Sequence, residues 1–128
     1  MDSESDIPGD VGRETLERLY DENPDDQVSE LVGYRSDDET LEGERTVFRA
    51  LANRDRLQLL EALRHGELCG CELMIILDAP QSTVATHVRK LREAGLVKSR
   101  KKGRWNYYRI ADTAVEDILG LAAAIDTD

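Results

Sequence analysis

From residue 44 onward the apolar positions keep a helical rhythm. Val47, Phe48, Leu51, Leu57, Leu60 and Leu63 recur at spacings of three and four with a break near Asn53, and predict two short helices over 42–52 and 54–64. His65-Gly66 supplies a C-terminal stop. A third helix is predicted from Leu68 to Leu77, ended by Asp78-Ala79-Pro80. A fourth, capped by Ser82, runs to Glu93 or Ala94 and ends at Gly95. Leu96–Arg100 and Arg104–Ile110 then read as two strands around a Lys102-Gly103 turn. Asp112 or Thr113 opens a last helix whose Val115, Ile118, Leu119, Ala122 and Ile125 form one stripe.

The first 44 residues are organised differently. Met1 to Asp10 has too little apolar content to order itself and is expected to be disordered. Arg13 to Glu22 predicts a short helix with Leu16, Leu19 and Tyr20 on one face, stopped by Pro24. Val28, Leu31, Val32 and Tyr34 form a second apolar cluster suited to docking on the main body, and Ser36 to Glu44 reads as a charged linker. The expected organisation is an acidic arm (1–44), a DNA-binding domain (45–111) and a C-terminal dimerisation helix (112–128). The expected fold is mainly α with a β-hairpin wing, a winged helix-turn-helix in the order α-α-α-α-β-β-α.

Charge changes the picture once it is divided along the chain. The net value is -10, but residues 1–44 hold 16 acidic and 3 basic residues, whereas residues 87–109 hold nine basic residues against Glu93 alone. That asymmetry suits an acidic tail attached to a basic working surface. Arginine outnumbers lysine 13 to 4, and the excess of acid fits either a highly saline cytosol or simply the tail. No apolar run reaches the length of a membrane span and the N-terminus lacks a signal pattern, so a cytoplasmic protein is expected. Cys69 and Cys71, one residue apart, make a poor structural disulfide and better candidates for metal or redox chemistry. No acid, base and nucleophile converge, so the reading is not an enzyme.

Two short helices joined by a tight turn and followed by a hairpin place the second helix in the major groove of double-stranded DNA. Gln81, Ser82, Thr83 and Thr86 suit base edges. Arg89, Lys90 and Arg92 suit phosphates, and Arg100, Lys101, Lys102 and Arg104 of the wing suit the backbone or the minor groove. Val84, Val88 and Leu91 would anchor the helix from behind. Tyr108 and Ile110 read as packing residues.

Several segments resemble the ArsR/SmtB family of metalloregulatory repressors. They are Leu51-Ala52-Asn53-Arg54-Asp55-Arg56-Leu57, Gln81-Ser82-Thr83-Val84-Ala85-Thr86-His87, Leu91-Arg92-Glu93-Ala94-Gly95-Leu96-Val97 and Gly103-Arg104-Trp105-Asn106-Tyr107-Tyr108-Arg109. The resemblance covers about two-thirds of the chain, from Phe48 to Ile110. It implies a homodimeric winged-helix repressor that leaves its operator when an inducer binds.

Glu67-Leu68-Cys69-Gly70-Cys71-Glu72-Leu73 resembles the metal-binding box of the arsenic-responsive members, with cysteines on the first helix of the helix-turn-helix. The resemblance implies Cys69 and Cys71 as ligands for trivalent arsenic or antimony, or for a soft divalent ion, with no constitutive cofactor. On a regular helix the two residues would point about 200° apart, so one ion would take both sulfurs only if the helix start unwound, which Gly70 would ease. The box usually supplies a third cysteine where this chain has Met74, which reads as core filler in preference to ligand. The final helix lacks the histidines of the family's zinc site. His65 suits a helix end and His87 a DNA contact or an edge packing role. Thiol oxidation is the second reading of the pair, and a regulator without a ligand the third.

The stripe on the last helix, with Ala122, Ala123 and Ala124 permitting close approach, predicts a two-fold homodimer. The alternative of another class is a protein-interaction module whose acidic arm is the working part.

Overall fold

The computed structural model describes residues 12–20 and 24–127. The disorder expected for Met1–Asp10 and the end of the first predicted helix at Glu22 lie outside these residues. The chain divides into two units, Met1–Leu41 and Glu42–Asp128.

In the first unit, α1 (Arg13–Tyr20) and α2 (Asp25–Val32) are linked by an ion pair between the Arg13 guanidinium and the Asp25 carboxylate. The apolar cluster at Val28–Val32 is thus helical, and Asp25 and Asp26 sit at the positive end of its dipole. The stretch read as a linker is helical as well: α3 spans Asp38–Leu51 and carries the chain from one unit into the other. The physical reason is a cap. The Asp37 carboxylate accepts from the Thr40 backbone N–H at 2.7 Å, and Asp38 and Glu39 fill the first turn, where acids are favoured. Hydrogen bonds from Thr40 hold the Asp37 carboxyl below its ordinary range. Charge that looked like a spacer is a helix-start signal, and the expected boundary at 44/45 falls inside α3.

The second unit continues with α4 (Arg54–Leu63), β1 (Leu68–Cys69), α5 (Gly70–Leu77), α6 (Gln81–Glu93), β2 (Val97–Lys102), β3 (Trp105–Ile110) and α7 (Thr113–Ala124). Asn53, in extended conformation, caps α4 by accepting from the Arg56 N–H at 3.0 Å. Leu59, Leu60, Leu73 and Leu91, all fully buried, bring α4, α5 and α6 together, and Val97 closes the core from the sheet. Val115 and Leu119 of α7 enter the same core, while Leu121 and Ile125 remain 69% and 67% exposed. Three of the five stripe residues, Val115, Ile118 and Leu119, are therefore spent inside their own unit.

Three expectations need correction. The helix predicted from Leu68 starts at Gly70, because Leu68 and Cys69 form a short strand antiparallel to β3, with Leu68 opposite Tyr108 and Cys69 opposite Tyr107. The resulting sheet has the order β1-β3-β2. Ser82 does not cap α6 but lies inside it; extended Pro80 precedes the helix, and its carbonyl accepts from the Thr83 and Val84 N–H groups. The hairpin turn is Gly103-Arg104, one residue later than predicted, since Lys102 pairs with Trp105. Gly103, at φ +66°, occupies the first central position, where a two-residue hairpin of this hand needs glycine. Gly95, at φ +79°, ends α6 as expected. Among the described residues no helix is long and apolar enough to cross a membrane.

Candidate nucleic-acid interface

α6 is held from behind by buried Val84, Val88 and Leu91. At about 100° per residue, the side opposite those anchors carries Ser82, Thr86, Arg89 and Lys90, and all four are exposed. The Thr86 hydroxyl donates to the Ser82 carbonyl at 3.0 Å, leaving its methyl group and oxygen lone pairs outward. Arg89 pairs with Glu93 one turn on, at 3.4 Å.

The other predicted readers flank this face. His87 turns toward α4, its side chain only 14% exposed, with Nε2 3.6 Å from Asp55 Oδ2 and Nδ1 3.4 Å from Arg56 Nη1. The ring packs at the helix edge against α4, one of the two settings expected of it. Thr83 is half-buried on the same flank. Gln81 lies on the opposite flank, toward the wing. Arg92, also on that side, donates to Ser99 Oγ of β2 at 3.4 Å.

Arg56, which the residue pattern did not single out, is 8% exposed. Its Nε donates to the Ala50 carbonyl at 2.7 Å and its Nη2 to the Arg49 carbonyl at 3.3 Å. The guanidinium thus satisfies the last turn of α3, where a cation is also favoured by the dipole. In doing so it provides the wall against which His87 and α6 rest.

The register of the wing fixes two faces, because directly opposed residues share a side. One carries Val97, Ser99, Lys101, Asn106, Tyr108 and Ile110, and Tyr108 and Ile110 pack on the core as expected. The other carries Lys98, Arg100, Lys102, Trp105, Tyr107 and Arg109, with Cys69 opposite Tyr107. Lys102 Nζ lies 5.9 Å from the Tyr107 ring centroid, a cation–π contact. Arg100 is engaged by Glu67, with Nε–Oε2 at 2.7 Å and Nη2–Oε1 at 2.8 Å. Lys90, Lys101 and Arg104 make no ion pair among the described residues, so their charges face outward uncompensated.

The cysteines occupy different settings. Cys69 is a half-buried strand residue whose N–H donates to Glu72 Oε1 at 2.8 Å, closing the start of α5. Cys71, in the first turn of α5, is exposed. A cleft of about 250 Å³ between α5, α6 and β3 is lined by Cys71, Met74, Gln81, Trp105, Asn106 and Tyr108, among others. Met74 packs on the core and also shares this cleft with Cys71. Neither thiol is a core residue. Among the described residues no three His, Cys, Asp or Glu side chains converge as a preformed metal cage.

Comparison with known proteins agrees with this geometry. Residues 53–99 match the profile of the family described as bacterial regulatory protein, arsR family. An uncharacterized HTH-type transcriptional regulator of Methanocaldococcus jannaschii is 40% identical over 76 residues, covering 59% of this chain and 85% of that protein. The arsenical resistance operon repressor of Bacillus subtilis is 36% identical over 73 residues, covering 56% and 70%. Other arsenic-resistance relatives are spanned over about half their length. Among solved structures, the homodimeric winged helix-turn-helix DNA-binding domain from Mycobacterium bovis superposes with a TM-score of 0.64 at 32% identity, over 70% of this chain and 85% of that one.

Proposed function

This chain belongs to the arsR family and is a DNA-binding transcriptional repressor, and from that premise we propose that a thiophilic metalloid, arsenite foremost, releases it from its operator by binding at Cys69 and Cys71. The observation that carries the reading is the position of the thiols. One lies in the strand that edges the wing sheet, the other in the first turn of the helix beneath α6. Drawing both sulfurs to one atom must turn the β1–α5 junction at Gly70, and that junction touches both DNA-facing parts at once. Thiolates are the soft donors that trivalent arsenic and antimony, or cadmium and zinc, prefer. A third donor would be the Met74 thioether or an external thiol.

On DNA, Ser82, Thr86 and Gln81 read base edges in the major groove, while Arg89, Lys90, Lys101, Lys102 and Arg104 meet phosphates or the minor groove. Two copies bind together, through the exposed Leu121 and Ile125 with the alanines between them. The test is an operator-binding titration with arsenite against peroxide, on wild type and on Cys69→Ser/Cys71→Ser. Release by arsenite that the double variant lacks supports the reading. Release by peroxide alone would favour thiol oxidation, and no response to either would leave a regulator without a thiol signal.

A further inference from the structure

We propose that Glu67 positions the wing through Arg100, and that Arg100 is a strut of the sheet in place of the DNA ligand its sequence setting suggests. The two side chains meet in a bidentate fork, the geometry in which a guanidinium and a carboxylate fix each other's orientation as well as their distance. Their placement gives the fork its leverage. Glu67 immediately precedes β1 and Arg100 lies in β2, with β3 between those strands. The pair therefore reaches across the middle strand and ties together both edges of a sheet whose β1 edge is only two residues long.

The surroundings explain why one member of the pair is a carboxylate. Lys98 stands directly opposite Arg109 on the face that also carries Arg100 and Lys102. Like charges directly opposed destabilise a strand pair, and Glu67 is the carboxylate whose charge offsets Arg100, Arg109 and Lys102. Its carboxyl is held below the ordinary range, first by the hydrogen bond to Arg100. The wing does not need Arg100 for DNA, since Lys101 and Arg104 at its tip are left outward without ion-pair partners. Withdrawing Glu67 frees Arg100 and removes the tie, so the hairpin loses its fixed angle to α6.

The experiment uses the full chain and a duplex selected by the wild-type protein from a random-sequence pool. Affinity is measured by fluorescence anisotropy over a series of salt concentrations. The variants are Glu67→Gln, Arg100→Gln and the exchange Glu67→Arg with Arg100→Glu, each first shown by circular dichroism to be folded. Each single substitution is expected to weaken binding about tenfold, or 1.4 kcal/mol, without changing the slope of log affinity against log salt. The exchange is expected to restore affinity, because a strut works in either polarity and a phosphate ligand does not. The proposal is overturned if Arg100→Gln lowers the salt slope by about 0.9, the signature of one lost phosphate contact. It is equally overturned if Glu67→Gln binds more tightly, if the exchange stays as weak as the single variants, or if no substitution matters.

Discussion

Cys69 stands directly opposite Tyr107 across the β1–β3 pair, so it belongs to the wing sheet and not to the helix that carries Cys71. Its side chain shares a face with Tyr107 and Arg100, the reverse of the face on which Tyr108 helps to line the cleft at Cys71. On the proposed reading, a ligand that joins the two sulfurs reworks the strand-to-helix junction. Gly70 is the residue that can turn there, and it is not required for space: a Cβ would meet Tyr108 at an ordinary 3.9 Å.

The first prediction concerns reactivity. Exposed Cys71 is alkylated before half-buried Cys69 when the reduced protein is treated with limiting iodoacetamide, as read by peptide mass spectrometry. Gly70→Ala should fold normally yet respond to arsenite more weakly, because its junction is stiffer. Equal labelling of the two thiols would contradict the assigned environments.

A second prediction separates the basic residues. Lys90→Ala, Lys101→Ala and Arg104→Ala should each weaken binding to all sequences alike and lower the salt slope by about 0.9. Gln81→Ala should instead cost about 1–3 kcal/mol and relax preference at one base position. Competition against single-base operator variants at fixed salt distinguishes the two patterns.

Arg56→Ala leaves the Ala50 carbonyl at the end of α3 without its side-chain donor, takes one of two donors from the Arg49 carbonyl, which keeps the Ala52 N–H, and removes the wall behind His87. Hydrogen bonds to a charged donor in such a place contribute about 1.5–3 kcal/mol each at most. Urea denaturation should therefore show a loss of about 2–3 kcal/mol, and Arg56→Lys, without the planar fork, should recover little of it.

Much of this was legible in the sequence, and the parts that were not share a cause. The core of α4 and α6, the glycine stops and the hairpin follow from periodicity and turn chemistry, which are local. β1 was not legible because a two-residue strand has no pattern of its own; it exists by pairing with residues about forty positions later. The start of α3 was hidden because an acidic helix turn and an acidic linker have the same composition, and only the Asp37–Thr40 cap tells them apart. For the candidate site the sequence marks residue types but not the directions of their side chains. His87 and Arg100 have the chemistry of DNA ligands, yet Arg56 with Asp55 takes the one and Glu67 the other. Nothing in the local sequence marks those partners.

Acidity gives a further prediction, with its sign fixed by Glu67. A carboxyl held below its ordinary 4.5 in the folded protein adds stability that is present above that value and lost as pH falls through the depressed one. The difference in melting temperature between wild type and Glu67→Gln should be constant above about pH 5 and vanish in stronger acid. A difference that grew on acidification would have the wrong sign.

The most direct measurement is an arsenite titration of the protein bound to a fluorescent operator duplex, followed by anisotropy. Wild type should dissociate as arsenite rises, while Cys69→Ser/Cys71→Ser stays bound with unchanged affinity in its absence. Persistence of the wild-type complex at saturating arsenite, or equal release of the double variant, would contradict the assignment of Cys69 and Cys71 as the inducer site.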